Sequence, residues 1–136
     1  MANRMILNET SYFGAGAISS IVDEAKARGF KKILVVTDPS LVKFGVSGKV
    51  TALLDEAGIA YDMYTDIKAN PTIANIQNGV AKFKEAGADS IVAIGGGSSM
   101  DTAKGTAIII ANPEYADVVS LEGAVATKNK CVPIIA

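Results

Sequence analysis

The sequence predicts an α/β fold, a parallel sheet with helices on both faces. Three observations predict it. Two β-branched apolar runs, Lys32–Thr37 (KILVVT) and Ser90–Ile94 (SIVAI), have the length and composition of strands buried on both sides. Around them lie stretches of roughly 10–15 residues whose apolar positions recur at helical spacing. A glycine or an Asn-Pro pair closes each such stretch. Alternation of this kind makes βαβ units. Right-handed crossovers then cover both faces of the sheet and leave ligand crevices at the carboxyl ends of the strands.

In chain order, Arg4–Leu7 reads as a short edge strand. Ile18, Ile21, Val22 and Ala25 form the first helical stripe, with Asp23, Glu24, Lys26 and Arg28 on the other side and Gly29 as the stop. The Lys32–Thr37 strand is closed by Asp38-Pro39. Val46, Val50, Leu53, Leu54 and Ala57 make the second stripe, ended by Gly58, and Ile59–Thr65 is a weaker strand. Thr72 is the expected N-cap of a third helix carrying Ile73, Ile76, Val80 and Phe83 and ended by Gly87. After Ser90–Ile94, a fourth helix starts at Ser98 and runs through Met100, Ala103, Ala107 and Ile110 to Asn112-Pro113. Cys131–Ala136 (CVPIIA) is the last expected strand.

Composition narrows the chemistry. The 136 residues carry 13 Lys+Arg against 14 Asp+Glu, so the net charge of -1 offers no broad attraction to nucleic acid or an acidic membrane. One cysteine excludes an intrachain disulfide and a Cys-rich zinc site. No histidine is present, which removes imidazole acid–base catalysis and His-ligated metal from this chain. The N-terminus lacks an apolar segment of signal-peptide length, and no apolar run approaches about 18 residues. The expectation is a soluble cytoplasmic domain with no membrane and no nucleic-acid partner.

The sharpest chemical feature is Gly95-Gly96-Gly97-Ser98-Ser99-Met100-Asp101, which follows a strand and opens a helix. Glycines let an anion approach the backbone without Cβ interference, and the helix start presents unpaired N–H groups and the positive end of the dipole. Ser98-x-x-Asp101 fits a capping box, with Ser98 as N-cap and Asp101 at the third helical position. The loop lacks the Gly-Lys-Ser/Thr ending of a Walker A motif. Gly14-Ala15-Gly16-Ala17-Ile18-Ser19 only approximates G-x-G-x-x-G and reads as a helix entry. Asp38 has two readings of equal weight: an acceptor for adenosine ribose hydroxyls, or the cap of a short helix over 40–43 with Pro39 at its first position. Asn70-Pro71-Thr72 reads as a turn and cap. Tyr12, Phe13 and Phe44 are expected to be packing residues, and Cys131 a buried, inert thiol in a strand.

Gly95–Lys104 (GGGSSMDTAK) resembles the GGGS-x-x-D-x-A-K signature of the iron-containing (group III) alcohol dehydrogenase family. Asn70-Pro71-Thr72 resembles that family's second N-terminal motif, and Asp38 falls at its ribose-binding position. Met1–Thr10 and Ser120-Leu121-Glu122-Gly123 resemble the family's lactaldehyde reductase (1,2-propanediol oxidoreductase) branch. Ala69 departs from it where proline is common.

The resemblance implies a Rossmann-like, N-terminal NAD-binding domain over 1–136. The cofactor pyrophosphate would lie on Gly96, Gly97 and Ser98, with Ser99, Met100 and Asp101 along the nicotinamide side. Asp38 would sit on the ribose, favouring NAD over NADP, and Asn70 near the cofactor. It also implies a divalent metal, iron or zinc, held by one Asp and three His of a C-terminal helical domain that this chain lacks. The substrate would be a small alcohol or aldehyde, and the assembled enzyme a homodimer. The chain stops inside a predicted strand, so the expectation is the N-terminal part of a longer enzyme, inactive in isolation. Three other readings stay open: another alcohol or polyol dehydrogenase of the family, a stand-alone nucleotide-binding module, and a structural role through edge pairing of the N-terminal strand.

Overall fold

The computed structural model describes residues 10–68, 72–116 and 129–136. The expectations for Arg4–Leu7, Asn70 and Ser120–Gly123 lie outside them. Four strands, β1 (Lys32–Thr37), β2 (Ala60–Tyr64), β3 (Ser90–Ile94) and β4 (Ile134–Ile135), form one sheet in the order β2-β1-β3-β4. All three pairings are parallel; Ile33 stands beside Tyr61 on one side and Ser90 on the other, and Ile91 beside Ile134. Among the described residues five α-helices accompany the strands: α1 (Ser20–Ala27), α2 (Pro39–Lys43), α3 (Val46–Glu56), α4 (Ile73–Ala86) and α5 (Gly97–Ala111).

Period-two alternation divides the core between the two faces. Ile33, Val35 and Val92 pack with Ala25 of α1 and Val50 and Leu54 of α3. Leu34, Val36, Ile91 and Ala93 face the other way, onto Phe83 of α4 and Ala103 and Ala107 of α5. The central position of β1 explains its unbroken apolar run, since both its faces are covered. At the sheet edge, β2 buries only Tyr64, which is why its sequence signal is weaker.

One device ends three of the helices. Gly29, Gly58 and Gly87 adopt left-handed φ values of 70°, 69° and 66°. The next residue then bonds back five positions: Phe30 N–H to Ala25 O (2.9 Å), Ile59 to Leu54 (2.9 Å) and Ala88 to Phe83 (3.2 Å). This is a Schellman closure, and its apolar pair joins the core each time. Each helix is thereby turned directly into the following strand.

Four expectations are corrected. The last strand covers only Ile134–Ile135, because Pro133 has no N–H to contribute to a ladder. Cys131 precedes that strand and is exposed rather than buried. Tyr12, Phe13 and Phe44 are 52%, 92% and 76% exposed, so they are not packing residues. They lie in loops rather than on a helix face. Ile18 is likewise turned outward, because Ala17–Ser19 is a 3-10 turn whose tighter winding takes it off the α1 stripe.

Candidate functional site

Adjacent strands β1 and β3 send the chain to opposite faces, β1 towards α3 and β3 towards α5. Such a reversal opens a crevice beyond the strands' carboxyl ends. Asp38 enters it from β1, and Gly95, Gly96 and Gly97 from β3.

The three glycines have different roles. Gly95 has a φ of +135°, and a Cβ there would stand 2.9 Å from Ser99 Oγ, 3.1 Å from Leu41 Cδ1 and 3.4 Å from Asp38 Oδ2. Internal packing of α2 against α5 therefore demands glycine at 95. A Cβ on Gly96 or Gly97 would meet nothing. Side chains are absent from both positions without any internal packing demanding it, and the surface at the helix start is left bare.

Here the capping expectation is corrected. The N-cap of α5 is Gly96, in extended conformation (φ -89°, ψ -161°), and no side chain caps the helix. Ser98 is the second helical residue and cannot act as N-cap, and Ser99 rather than Asp101 occupies the third position, so no box forms. The helix begins early because Gly96 itself supplies the first carbonyl, accepting from Met100 N–H at 3.2 Å. The uncapped start places the positive dipole end at the crevice. Met100 is half-buried and Asp101 exposed one turn further on.

Two hydroxyls under the crevice lack partners among the described residues: Thr37 Oγ1 at the end of β1 and Ser99 Oγ in the first turn of α5. Both residues are buried, and such groups are unfavourable unless something completes them. Thr106 Oγ1 is a third, but it faces Gly79 in the α4–α5 seam.

Both readings of Asp38 are geometrically compatible. Its Oδ1 accepts from the N–H groups of Ser40 (2.9 Å) and Leu41 (3.0 Å) and from the Ser40 hydroxyl, capping α2 with Pro39 at the first position. Oδ2 takes no donor among the described residues. The Ser40 hydroxyl, followed by the Leu41 amide, holds the carboxyl below its usual range. Sequence reasoning named Asp38 but missed Ser40 and Leu41; a serine two residues after a capping aspartate was the available signal. It also missed Asn75, whose Oδ1 accepts from Thr72 N–H (3.2 Å) while its own N–H reaches Thr72 Oγ1 (3.3 Å). Asn75 Nδ2 donates to Asp66 O at 2.7 Å, fixing the chain after β2 to the start of α4 at this same edge.

A cleft of about 690 Å³ lies elsewhere, between α1 and the β3–β4 side of the sheet, and meets the glycine loop only through Ile94 and Gly95. Glu24 on its wall accepts from Tyr12 OH (2.6 Å) and Arg28 Nε (2.9 Å). Among the described residues no three His, Cys, Asp or Glu side chains cluster to hold a metal, and no helix is long and apolar enough to cross a membrane.

A parallel sheet covered on both faces, with a glycine-opened helix at its switch point, defines a Rossmann-like domain. Residues 8–136 match the family profile described as iron-containing alcohol dehydrogenase. Lactaldehyde reductase of Escherichia coli K12 is 52% identical over 136 residues, all of this chain but 36% of the relative. Alcohol dehydrogenase from Oenococcus oeni superposes with a TM-score of 0.90 at 36% identity, covering 98% of this chain and 35% of that one. NADH-dependent butanol dehydrogenase A from Thermotoga maritima gives 0.84 at 29% identity, covering 98% and 34%. The chain belongs to the iron-containing alcohol dehydrogenase family and spans about a third of the length of these relatives.

Proposed function

We propose that this chain is the NAD-binding portion of a metal-dependent alcohol dehydrogenase that interconverts lactaldehyde and 1,2-propanediol. The observation that carries the cofactor assignment is the uncapped start of α5, opened by Gly96 and Gly97 beside the unpartnered Oδ2 of Asp38. These residues fit a dinucleotide. Backbone N–H groups from Gly97 onward would hold the pyrophosphate, with Gly96 and Ser98 flanking it. Oδ2 of Asp38 would accept the ribose 2′-hydroxyl and repel a 2′-phosphate, selecting NAD over NADP. Ser99, Met100, Asp101 and Asn70 are proposed to border the rest of the cofactor. Bound NAD supplies the hydride acceptor or donor for an alcohol–aldehyde pair.

The metal is a different matter. With no histidine in the chain, its residues do not fit the divalent iron or zinc site of such an enzyme, and no step on this chain runs through a metal. That site is assigned to a helical domain outside these residues, and the isolated chain is expected to be inactive. The 52% identity to a lactaldehyde reductase favours a short-chain hydroxyaldehyde over the substrates of more distant relatives. The assembled enzyme is proposed to be a cytoplasmic homodimer.

Titration of the chain with NADH and NADPH tests the cofactor assignment. NADH should bind more tightly, and Asp38→Ala should abolish the preference. Absence of binding to either dinucleotide overturns it. Reduction of lactaldehyde by the purified chain would overturn the expected inactivity.

A further inference from the structure

The carboxylate of Asp38 is held more firmly than a helix cap requires. Two backbone amides, Ser40 N–H at 2.9 Å and Leu41 N–H at 3.0 Å, already complete the cap on Oδ1. The Ser40 hydroxyl adds a third donor to that same oxygen. All three donors converge on one atom, while the other oxygen takes no donor among the described residues and lies 3.4 Å from where a Cβ on Gly95 would stand, beside the glycine loop. α2 is only five residues long, so little of its own hydrogen-bonding would hold this geometry.

We propose that Ser40 is a positioning residue for cofactor selection, its hydroxyl pinning Oδ1 of Asp38 so that Oδ2 alone is presented to the ribose 2′-hydroxyl. Rotation of the carboxylate would break a charge-assisted hydrogen bond as well as two amide contacts, so the acceptor stays aimed before the ligand arrives. The hydroxyl also favours the ionised carboxylate, so a 2′-phosphate approaching Oδ2 meets a like charge. Leu41, whose Cδ1 closes against Gly95, fixes the same turn from its apolar side. The proposal rests on the NAD-binding reading and adds to it a residue that need not touch the cofactor.

Ser40→Ala and Ser40→Thr test it on the chain as it stands. The backbone cap survives in both, and position 40 is exposed, so both should fold. Carboxyl-carbon NMR without cofactor should show Asp38 of Ser40→Ala titrating nearer the ordinary aspartate range, with Ser40→Thr restoring the lower value. NADH affinity should fall roughly five- to tenfold in Ser40→Ala, NADPH affinity should not fall, and Ser40→Thr should recover the discrimination. A wild-type chain that binds neither dinucleotide overturns the cofactor reading and this role with it. Binding with an unchanged NADH/NADPH ratio in Ser40→Ala overturns the role of Ser40 alone.

Discussion

The two ends of the sheet are built differently. At the amino end of the strands, the backbone is tied off. Gly29, Gly58 and Gly87 close three helices with the same Schellman bonds, and a Cβ on any of them would meet nothing. Asp89 there accepts from Lys31 N–H (2.8 Å), Lys32 N–H (3.3 Å) and Ser90 Oγ (3.0 Å), stitching β1 to β3. At the carboxyl end, α5 has no side-chain cap, Thr37 and Ser99 bury unpartnered hydroxyls, and one oxygen of Asp38 is unused. A chain that completes its hydrogen bonds at one end can do so at the other. On the NAD-binding proposal, the open groups at the carboxyl end are the ones that an outside partner would complete.

Substitutions in the glycine loop test this contrast hardest. Gly95→Ala combines a φ of +135° with a Cβ 2.9 Å from Ser99 Oγ, and should destabilise the fold by roughly 2–4 kcal/mol, read from the urea midpoint. Gly96→Ala introduces no contact and keeps an allowed φ of -89°, so its stability should stay within about 1 kcal/mol of wild type while NADH binding is lost. If Gly96→Ala binds NADH as well as wild type does, the open helix start is not the phosphate site.

How much of this was legible depends on what each residue answers to. β1 and β3 could be read directly, because a strand covered on both faces must be apolar throughout. The Gly29, Gly58 and Gly87 stops could be read too, since each follows a clear helical stripe. The start of α5 could not: Ser98-x-x-Asp101 satisfies a capping pattern, but the extended backbone of Gly96 starts the helix before Ser98 can serve. Nor could the free side of Asp38. Whether one oxygen or both serve the cap is decided by the placement of Ser40 and Leu41, a matter of geometry rather than residue type. The apolar pattern of 131–136 does not reveal the exposure of Cys131, because Pro133 confines β4 to Ile134–Ile135.

The amino end should respond in the opposite sense to the glycine loop. Asp89→Ala removes the acceptor of two backbone N–H groups and should lower stability by about 2 kcal/mol with NADH affinity unchanged. Gly87→Ala forces an L side chain into φ 66° without a clash and should lower stability by about 1 kcal/mol, again without affecting binding. Loss of NADH affinity in either variant, at a temperature where it remains folded, would erase the distinction between the two ends.

The smallest effect is the pH dependence contributed by Asp38. Its folded-state carboxyl lies below the usual range because the Ser40 hydroxyl and the Leu41 amide favour the charged form. A depressed folded-state value adds stability that is fully present above the unfolded-state value, about 3.9, and is lost as pH falls through the folded-state value. Asp38→Asn keeps a capping oxygen and removes only the charge, so the wild-type-minus-variant difference in melting midpoint isolates this group from Glu24 and Asp62, which are also held low. That difference should be level from pH 7 to about 5 and shrink as pH falls through the aspartate range. A difference that stays constant down to about pH 3 would mean that the Oδ1 contacts do not depend on charge. The carboxylate would then be an ordinary cap, and Asp38 would no longer distinguish the carboxyl end of the sheet.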